Sequence, residues 1–210
     1  MTLASNPDNV YANEIDPFRR STLEGQGLNT VTDIDATKQI YDESFDSVLM
    51  NPPFGSIPTF RIQDANVKKL EHVISLQGLK SLNKDGGRAS IITGGSKNDL
   101  NHRLFMNLIN ENFTVEKVFN VDGKEYTRQG TSFPTRLYVI GPKSEKQVDF
   151  DQNKSWSIDE IFEQYKKDAK DGLLGRQENY EYGRPVQRID SADTKQQSSD
   201  GSLSRQSSDE

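Results

Sequence analysis

The 210-residue chain contains no cysteine, two histidines and one tryptophan. Without cysteine, a disulfide framework, a thiolate zinc site and a cysteine nucleophile are all excluded. No apolar run approaches the ~18–20 residues needed to cross a bilayer. The opening residues, Met1-Thr2-Leu3-Ala4-Ser5-Asn6-Pro7-Asp8, lack the basic start and apolar centre of a signal peptide. Hydrophobic residues supply only 32% of the chain, against roughly 45–50% in an ordinary domain by a count that includes glycine. Lys and Arg number 26 and Asp and Glu 32, for a net charge of −6. That balance does not favour a general nucleic-acid binder, although an average says little about one cleft. The expectation is a soluble, cytoplasmic chain with no membrane partner, one domain and an appendage.

The apolar shortage is uneven. Residues Asp190 to Glu210 include seven serines, and Leu203 is their only large apolar side chain. Such a stretch cannot bury enough surface to offset its ordering entropy, and it reads as a disordered acidic tail. Residues 171–189 read as a loop or extension. Residues 151–170 read as an amphipathic helix, with Trp156, Ile158, Ile161, Phe162 and Tyr165 on one face and Ser157 as N-cap. The folded core is expected within residues 1–150.

Inside that core, strand and helix patterns alternate. Asn9 to Ile15, Asn29 to Ile34 and Phe45 to Met50 read as strands, and Pro17 to Leu28 as a helix opened by proline. Asp64 to Leu82 has helical spacing, from Val67 through Leu70 and Val73. Arg88 to Thr93 is a buried-type strand. Asn98 to Asn112 is a helix with Leu100, Leu104, Phe105, Leu108 and Ile109 inward. Val115 to Val121 and Arg136 to Ile140 are strands joined only by a loop, which predicts an antiparallel pair. The alternation predicts an α/β domain on a mostly parallel sheet with an antiparallel last strand.

The sharpest feature is Asn51-Pro52-Pro53-Phe54-Gly55, directly after the strand ending at Met50. Neither proline can donate a ladder hydrogen bond, so the strand stops there in a rigid extended turn. In open α/β sheets the carboxyl ends of the strands are where ligands bind. The turn offers an amide side chain, a carbonyl freed from pairing and an aromatic face. A planar amine-bearing ligand can stack on Phe54 while its NH2 donates to the Asn51 oxygen and a proline carbonyl. That geometry turns the nitrogen lone pair towards an electrophile, so positioning rather than a strong base supplies the rate. The bland alternative is a proline-rich turn with a packed phenylalanine. His72 and His102 lack carboxylate companions at ligand spacing, and no metal site is expected.

The segment resembles motif IV of the S-adenosylmethionine-dependent amino-methyltransferases, Asn/Asp/Ser-Pro-Pro-aromatic. Its Asn-Pro-Pro-Phe-Gly form is most similar to adenine-N6 DNA methyltransferases, including modification subunits of type I restriction systems. Asn13-Glu14-Ile15-Asp16 resembles the family's acidic motif. The resemblance implies that Glu14 binds the ribose hydroxyls of S-adenosyl-L-methionine and that Ile15 packs on its adenine. The plain alternatives are a solvated carboxylate and a core isoleucine. Asp33-Ile34-Asp35-Ala36 resembles the third motif, which implies that Asp35 meets the cofactor's adenine amine, unless it is simply solvated. Gly130-Thr131-Ser132-Phe133-Pro134-Thr135-Arg136-Leu137 resembles the late motif lining the target-base pocket. It implies Phe133, with Gly55, on the substrate side, the alternative being an aromatic covering the sheet end.

The resemblance covers roughly Asn9 to Pro142 and implies a Rossmann-like sheet. The family's first strand and its Asp/Glu-x-x-x-Gly-x-Gly loop have no counterpart before Asn9. That strand is the middle one of the family sheet, and a gap is expected in its place. The implied function is methyl transfer to a flipped adenine in DNA, with a separate specificity or N-terminal subunit as partner. Methyl transfer to protein glutamine or RNA, and a non-catalytic DNA-binding or partner-binding fragment, remain alternatives.

Overall fold

The computed structural model describes residues 7–26, 28, 30–38, 45–95, 100–129, 132–145, 150–151 and 153–171. The expected acidic tail, most of the extension before it, and Gly130-Thr131 lie outside these residues.

The chain enters through β1 (Tyr11–Asn13), crosses α1 (Pro17–Gly25) and returns as β2 (Thr30–Thr32), parallel to β1. Asp16 starts α1 by accepting from the Arg19 N–H at 2.9 Å. Pro17 sits in the first turn, where its missing N–H removes no helical bond. None of the residues of α1 is buried. Among the described residues of this βαβ unit only Thr32 is buried.

A second sheet holds the core. It contains β3 (Ser47–Met50), β6 (Arg88–Gly94), β7 (Phe113–Val121), β8 (Thr135–Pro142) and β9 (Ser155–Trp156), in the order β3-β6-β8-β7-β9. β3 pairs parallel with β6, and β7 with β9. β8 alone runs against its neighbours, β6 and β7. The expected antiparallel strand is therefore β8, and its partner β7 is the strand just before it. β1–β2 form a sheet of their own. Tyr11, at the start of β1, and Phe45, two residues before β3, are in ring contact at 5.3 Å.

Residues opposite one another in a ladder share a face. Ile91 faces Tyr138 and Ala89 faces Ile140. They form the core with Val73, Leu76 and Leu79 of α2 (Leu70–Leu79) and Phe105, Leu108 and Ile109 of α3 (Leu100–Ile109). The other face carries Phe119, Leu137, Ile92 and Leu49 by register. At its β7 side, Phe119 meets Trp156 edge-on, and Lys117 bonds Asp168 of α4 (Ile158–Lys170) at 2.6 Å. Towards β3 this face opens, until Leu49 stands 65% exposed. Among the described residues no helix is long and apolar enough to cross a membrane.

Three expectations need correction. Residues 64–69 are not helical: β4 (Ser56–Ile62) and β5 (Ala65–Lys69) form a hairpin, and the helix starts at Leu70. The turn is Gln63-Asp64, with Gln63 at φ 53°. Val67 is buried from a strand, and its three-residue spacing to Leu70 only imitates a helix. Trp156 belongs to β9 rather than to the helix face, although Ser157 caps α4 in a full capping box with Glu160. Leu100, expected inward, is 71% exposed. It opens α3 before the helix reaches the core. These positions predict contrasting stabilities in urea titrations. Ile91→Ala should cost about 2–5 kcal/mol by leaving a cavity in the core. Leu100→Ala should stay within about 0.5 kcal/mol of the parent. Equal losses would contradict this placement of the core.

Candidate active site

The chain cannot continue β3 beyond Met50, because the next two donors are missing at Pro52 and Pro53. Pro52 is buried, while Asn51, Pro53 and Phe54 are exposed. The turn is held at its far end. The Gly55 N–H donates to Glu71 Oε2 at 2.9 Å, and the Leu70 N–H donates to the Gly55 carbonyl at 2.9 Å. Glu71 lies in the first turn of α2 and is only 2% exposed. A carboxylate taken this far out of water needs a donor, and the Gly55 N–H provides one. Sequence reasoning passed over Glu71. Its signal was an acidic side chain in a helix otherwise apolar enough to be buried.

The two aromatic candidates come together. The rings of Phe54 and Phe133 lie 6.2 Å apart, tilted by 39°. Both are substantially exposed, at 40% and 53%. They lean over Gly94, the last residue of β6. A Cβ there would fall 2.9 Å from Phe133 Cε1 and 3.1 Å from Phe54 Cδ2. Glycine is therefore what lets both rings rest on the strand end. The rings are within contact range of each other. Phe54 is 40% exposed and packs against Phe133 and the bare end of β6.

The acidic candidates gather at the carboxyl end of the other sheet. The Glu14 N–H donates to the Thr32 carbonyl at 2.9 Å, extending the β1–β2 ladder. Asn13, also unweighed in the sequence, locks the two strand ends: its Oδ1 accepts from Thr32 Oγ1 at 2.8 Å and from the Ile34 N–H at 3.0 Å. Its Nδ2 donates to the Ile34 carbonyl at 2.9 Å. This sets Glu14 and Ile15 beside the segment that carries Asp35. Ile15 is 62% exposed, which removes its reading as a core residue. Asp35 accepts from the Thr37 N–H at 3.0 Å and Thr37 Oγ1 at 2.8 Å, and those bonds hold its carboxyl below the usual range. Asp33 pairs instead with Arg20 at 3.0 Å.

Glu14 is engaged. Arg19 Nε donates to Oε2 at 2.9 Å, Nη2 donates to Oε1 at 3.0 Å, and the Asp16 N–H also reaches Oε1 at 2.9 Å. The Arg19 bonds, then the Asp16 amide, lower its pKa. Two carboxylate oxygens carry about four acceptor positions, so one remains for a further donor. The acidic group on β1 and the Asn51 turn on β3 belong to different sheets, and no hydrogen bond among the described residues joins them.

Other features have structural roles. His72 stacks on Phe105 at 4.3 Å, and His102 Nδ1 lies 2.6 Å from the Tyr138 hydroxyl. Both histidines are core residues, and no cluster of metal-ligating side chains occurs among the described residues. Gly86, at φ 142°, makes the turn before β6. A cavity of about 340 Å³ lies between the β4–β5 turn and the ends of α2 and α3, over Leu79, Ile109 and Phe113. None of the candidate residues lines it.

No protein-family model matches the chain, and no curated protein matches it in sequence. Solved structures do share its fold. A protein assigned as a class I S-adenosylmethionine-dependent methyltransferase of Listeria monocytogenes superposes with a TM-score of 0.51 at 14% identity, over 67% of this chain and 47% of its own. A modification subunit assigned to a type I restriction enzyme of Vibrio vulnificus gives 0.55 at 13% identity, over 85% and 43%. The methyltransferase subunit of a type I restriction-modification system from Streptococcus thermophilus gives 0.53 at 17% identity, over 76% and 41%. The chain has the α/β fold of class I methyltransferase structures and spans less than half the length of each of these three.

The Glu14–Arg19 pair gives a test by carboxyl NMR titration. In Arg19→Ala the Glu14 pKa should rise towards the ordinary carboxylate value. Because the folded-state pKa is the depressed one, the pair's stabilisation is present above the unfolded pKa and lost as pH falls through the folded value. An unchanged Glu14 titration would show that Arg19 does not hold it.

Proposed function

We propose that the chain is the catalytic part of an S-adenosylmethionine-dependent methyltransferase that modifies the exocyclic amine of adenine in DNA. One observation carries this reading: Asn51 and Phe54 of the Asn51-Pro52-Pro53-Phe54 turn stand exposed at the carboxyl end of β3, in a fold shared with class I methyltransferases. The similarity to type I modification subunits supports DNA over other substrates.

The residues fit the nucleoside half of the cofactor. Glu14 and Asp35 offer carboxylate acceptors on adjacent strand ends, with the exposed apolar Ile15 between them in sequence. Glu14, through its remaining acceptor position, would receive a ribose hydroxyl, Asp35 an adenine amine and Ile15 an adenine face. When bound, S-adenosylmethionine supplies the electrophilic methyl group. The chain's own part is positioning. Phe54 stacks on a base taken out of its duplex. Asn51 Oδ1 and the Pro52 carbonyl accept both amine hydrogens, which leaves the nitrogen lone pair facing away from the turn. Glu71 keeps the turn in that geometry through the Gly55 N–H. A DNA-reading partner sets the target sequence.

A second reading has one observation behind it. The split between the two sheets separates the acidic group from the amide turn, which favours a subunit that binds without catalysing when alone. Transfer of labelled methyl groups to DNA, RNA and protein, measured side by side, separates the readings. DNA should be labelled, and Asn51→Ala and Phe54→Ala should each reduce kcat by about 10²–10³-fold, the usual cost of losing one positioned polar or stacking group. Unaltered labelling by both variants would remove the turn from the mechanism. Labelling of protein or RNA alone would reassign the substrate.

A further inference from the structure

The cavity of about 340 Å³ under the tip of the β4–β5 hairpin takes no part in the chemistry above. Small-molecule sites run from roughly 300 to 1,000 Å³. Its floor is apolar: Leu76, Leu79, Leu108, Ile109 and Phe113 line it, and none is more than 8% exposed. Its mouth is cationic. Arg61, Lys80 and Lys84 also line it, all three are exposed, and no Asp or Glu joins them. Arg61 bonds Asp64 within the hairpin turn at 3.3 Å, but Asp64 is fully exposed, and a pair so open to water is readily exchanged for another. Gln77 supplies a third feature. It lines the cavity, and its Oε1 is buried with no hydrogen bond from any described residue. The backbone around it is satisfied. The carbonyls of Gln77, Gly78 and Leu79 accept from the N–H groups of Lys80, Ser81 and Leu82, and that of Ile109 accepts from Asn112. Those bonds occupy the helix-end carbonyls that would otherwise oppose an anion. What remains is one buried acceptor, which costs free energy until a donor reaches it.

We infer that this cavity is a second binding site, for a small amphipathic carboxylate that carries a hydroxyl beside its charged end. The apolar body rests on the leucines and Phe113. The carboxylate meets Arg61, Lys80 and Lys84 at the mouth, where charge-assisted bonds form. Gln77 and Lys80 stand three residues apart on α2 and share a face, so the hydroxyl that donates to Gln77 Oε1 lies next to the carboxylate. The site is apart from the double-proline turn. β4 leaves that turn at Ser56 and reaches the cavity at Arg61 and Ile62, and a strand of its seven residues spans roughly 20 Å. α2 makes the same journey, from Glu71 beside the turn to Lys80 at the cavity. A ligand held there competes with neither a base on Phe54 nor a nucleoside at Glu14. The inference rests on the cavity alone and holds whichever reaction the chain performs.

NMR titration of the methyl-labelled full chain tests it, with 3-hydroxyoctanoate as the probe. Three controls each remove one feature: octanoate the hydroxyl, octane-1,3-diol the charge, and 3-hydroxybutyrate most of the apolar body. The probe should shift the methyl signals of Ile62, Leu79 and Ile109 saturably, and leave the Phe54 ring in place. Each control should bind at least about tenfold more weakly, the scale of one lost charge-assisted bond, one unmet buried acceptor or a few methylenes. The double variant Arg61→Gln/Lys80→Gln should keep its thermal transition, since both side chains are exposed. It should weaken the probe by at least about tenfold while leaving octane-1,3-diol unchanged. Four results would overturn the inference. No shift at millimolar probe would leave the cavity to water. Equal binding of octanoate would remove Gln77 from the recognition. Equal binding of 3-hydroxybutyrate or of inorganic phosphate would make the mouth a simple anion site. Shifts centred on Phe54 would place the probe on the exposed rings instead.

Discussion

Two prolines in succession end β3, and the candidate site depends on that stop. A residue other than proline at 52 or 53 would bring back a ladder donor and allow the strand to run on beside β6. Instead the chain turns, and the Gly55 N–H finds the buried carboxylate of Glu71. The carbonyl of the same glycine accepts from the first residue of α2. The turn is thus fixed at one end by the sheet and at the other by a helix. Asn51 and Phe54, between those anchors, are left facing solvent. A rigid extended turn loses little entropy when a ligand binds, which is how a site without a strong base can still act through positioning.

The second constraint is the bare strand end beneath the rings. Gly94 closes β6 without a side chain, so the phenylalanines of two distant segments share the space above it. One comes from the elbow after β3 and the other from the loop before β8. Their meeting depends on β6 standing between β3 and β8 in the sheet, a non-local fact. The acidic group obeys the same rule at the neighbouring sheet, where Asn13 ties the ends of β1 and β2 and presents Glu14 and Asp35 together. Both groups sit at the carboxyl ends of parallel strands. Ligands in α/β sheets gather at such a place.

Much of this was legible in the amino-acid order. The βαβ alternation, the stop at Met50 and the antiparallel β7–β8 pair follow from proline chemistry, period and loop length. The Ser157 cap follows from its neighbours alone. The hairpin at residues 56–69 was not legible. Pro58 sits inside β4, and Val67, Leu70 and Val73 keep helical spacing across a strand–helix junction. Trp156 and Leu100 were misplaced because they border helices whose apolar face they seem to extend. Glu71 and Gly94 were missed for a different reason. Their roles exist only once a turn and two rings have been folded onto them, and no local pattern carries that information.

The most direct measurement is a titration of adenosine into the chain with its phenylalanine rings isotopically labelled, followed by NMR. Stacking on the exposed turn predicts that the Phe54 and Phe133 ring signals shift together and saturably, while the core ring of Phe105 stays in place. It also predicts that cytidine, with its smaller ring, produces a weaker effect. Shifts spread over the core, or none at Phe54 with adenosine at millimolar concentration, would contradict the role given to the double-proline turn.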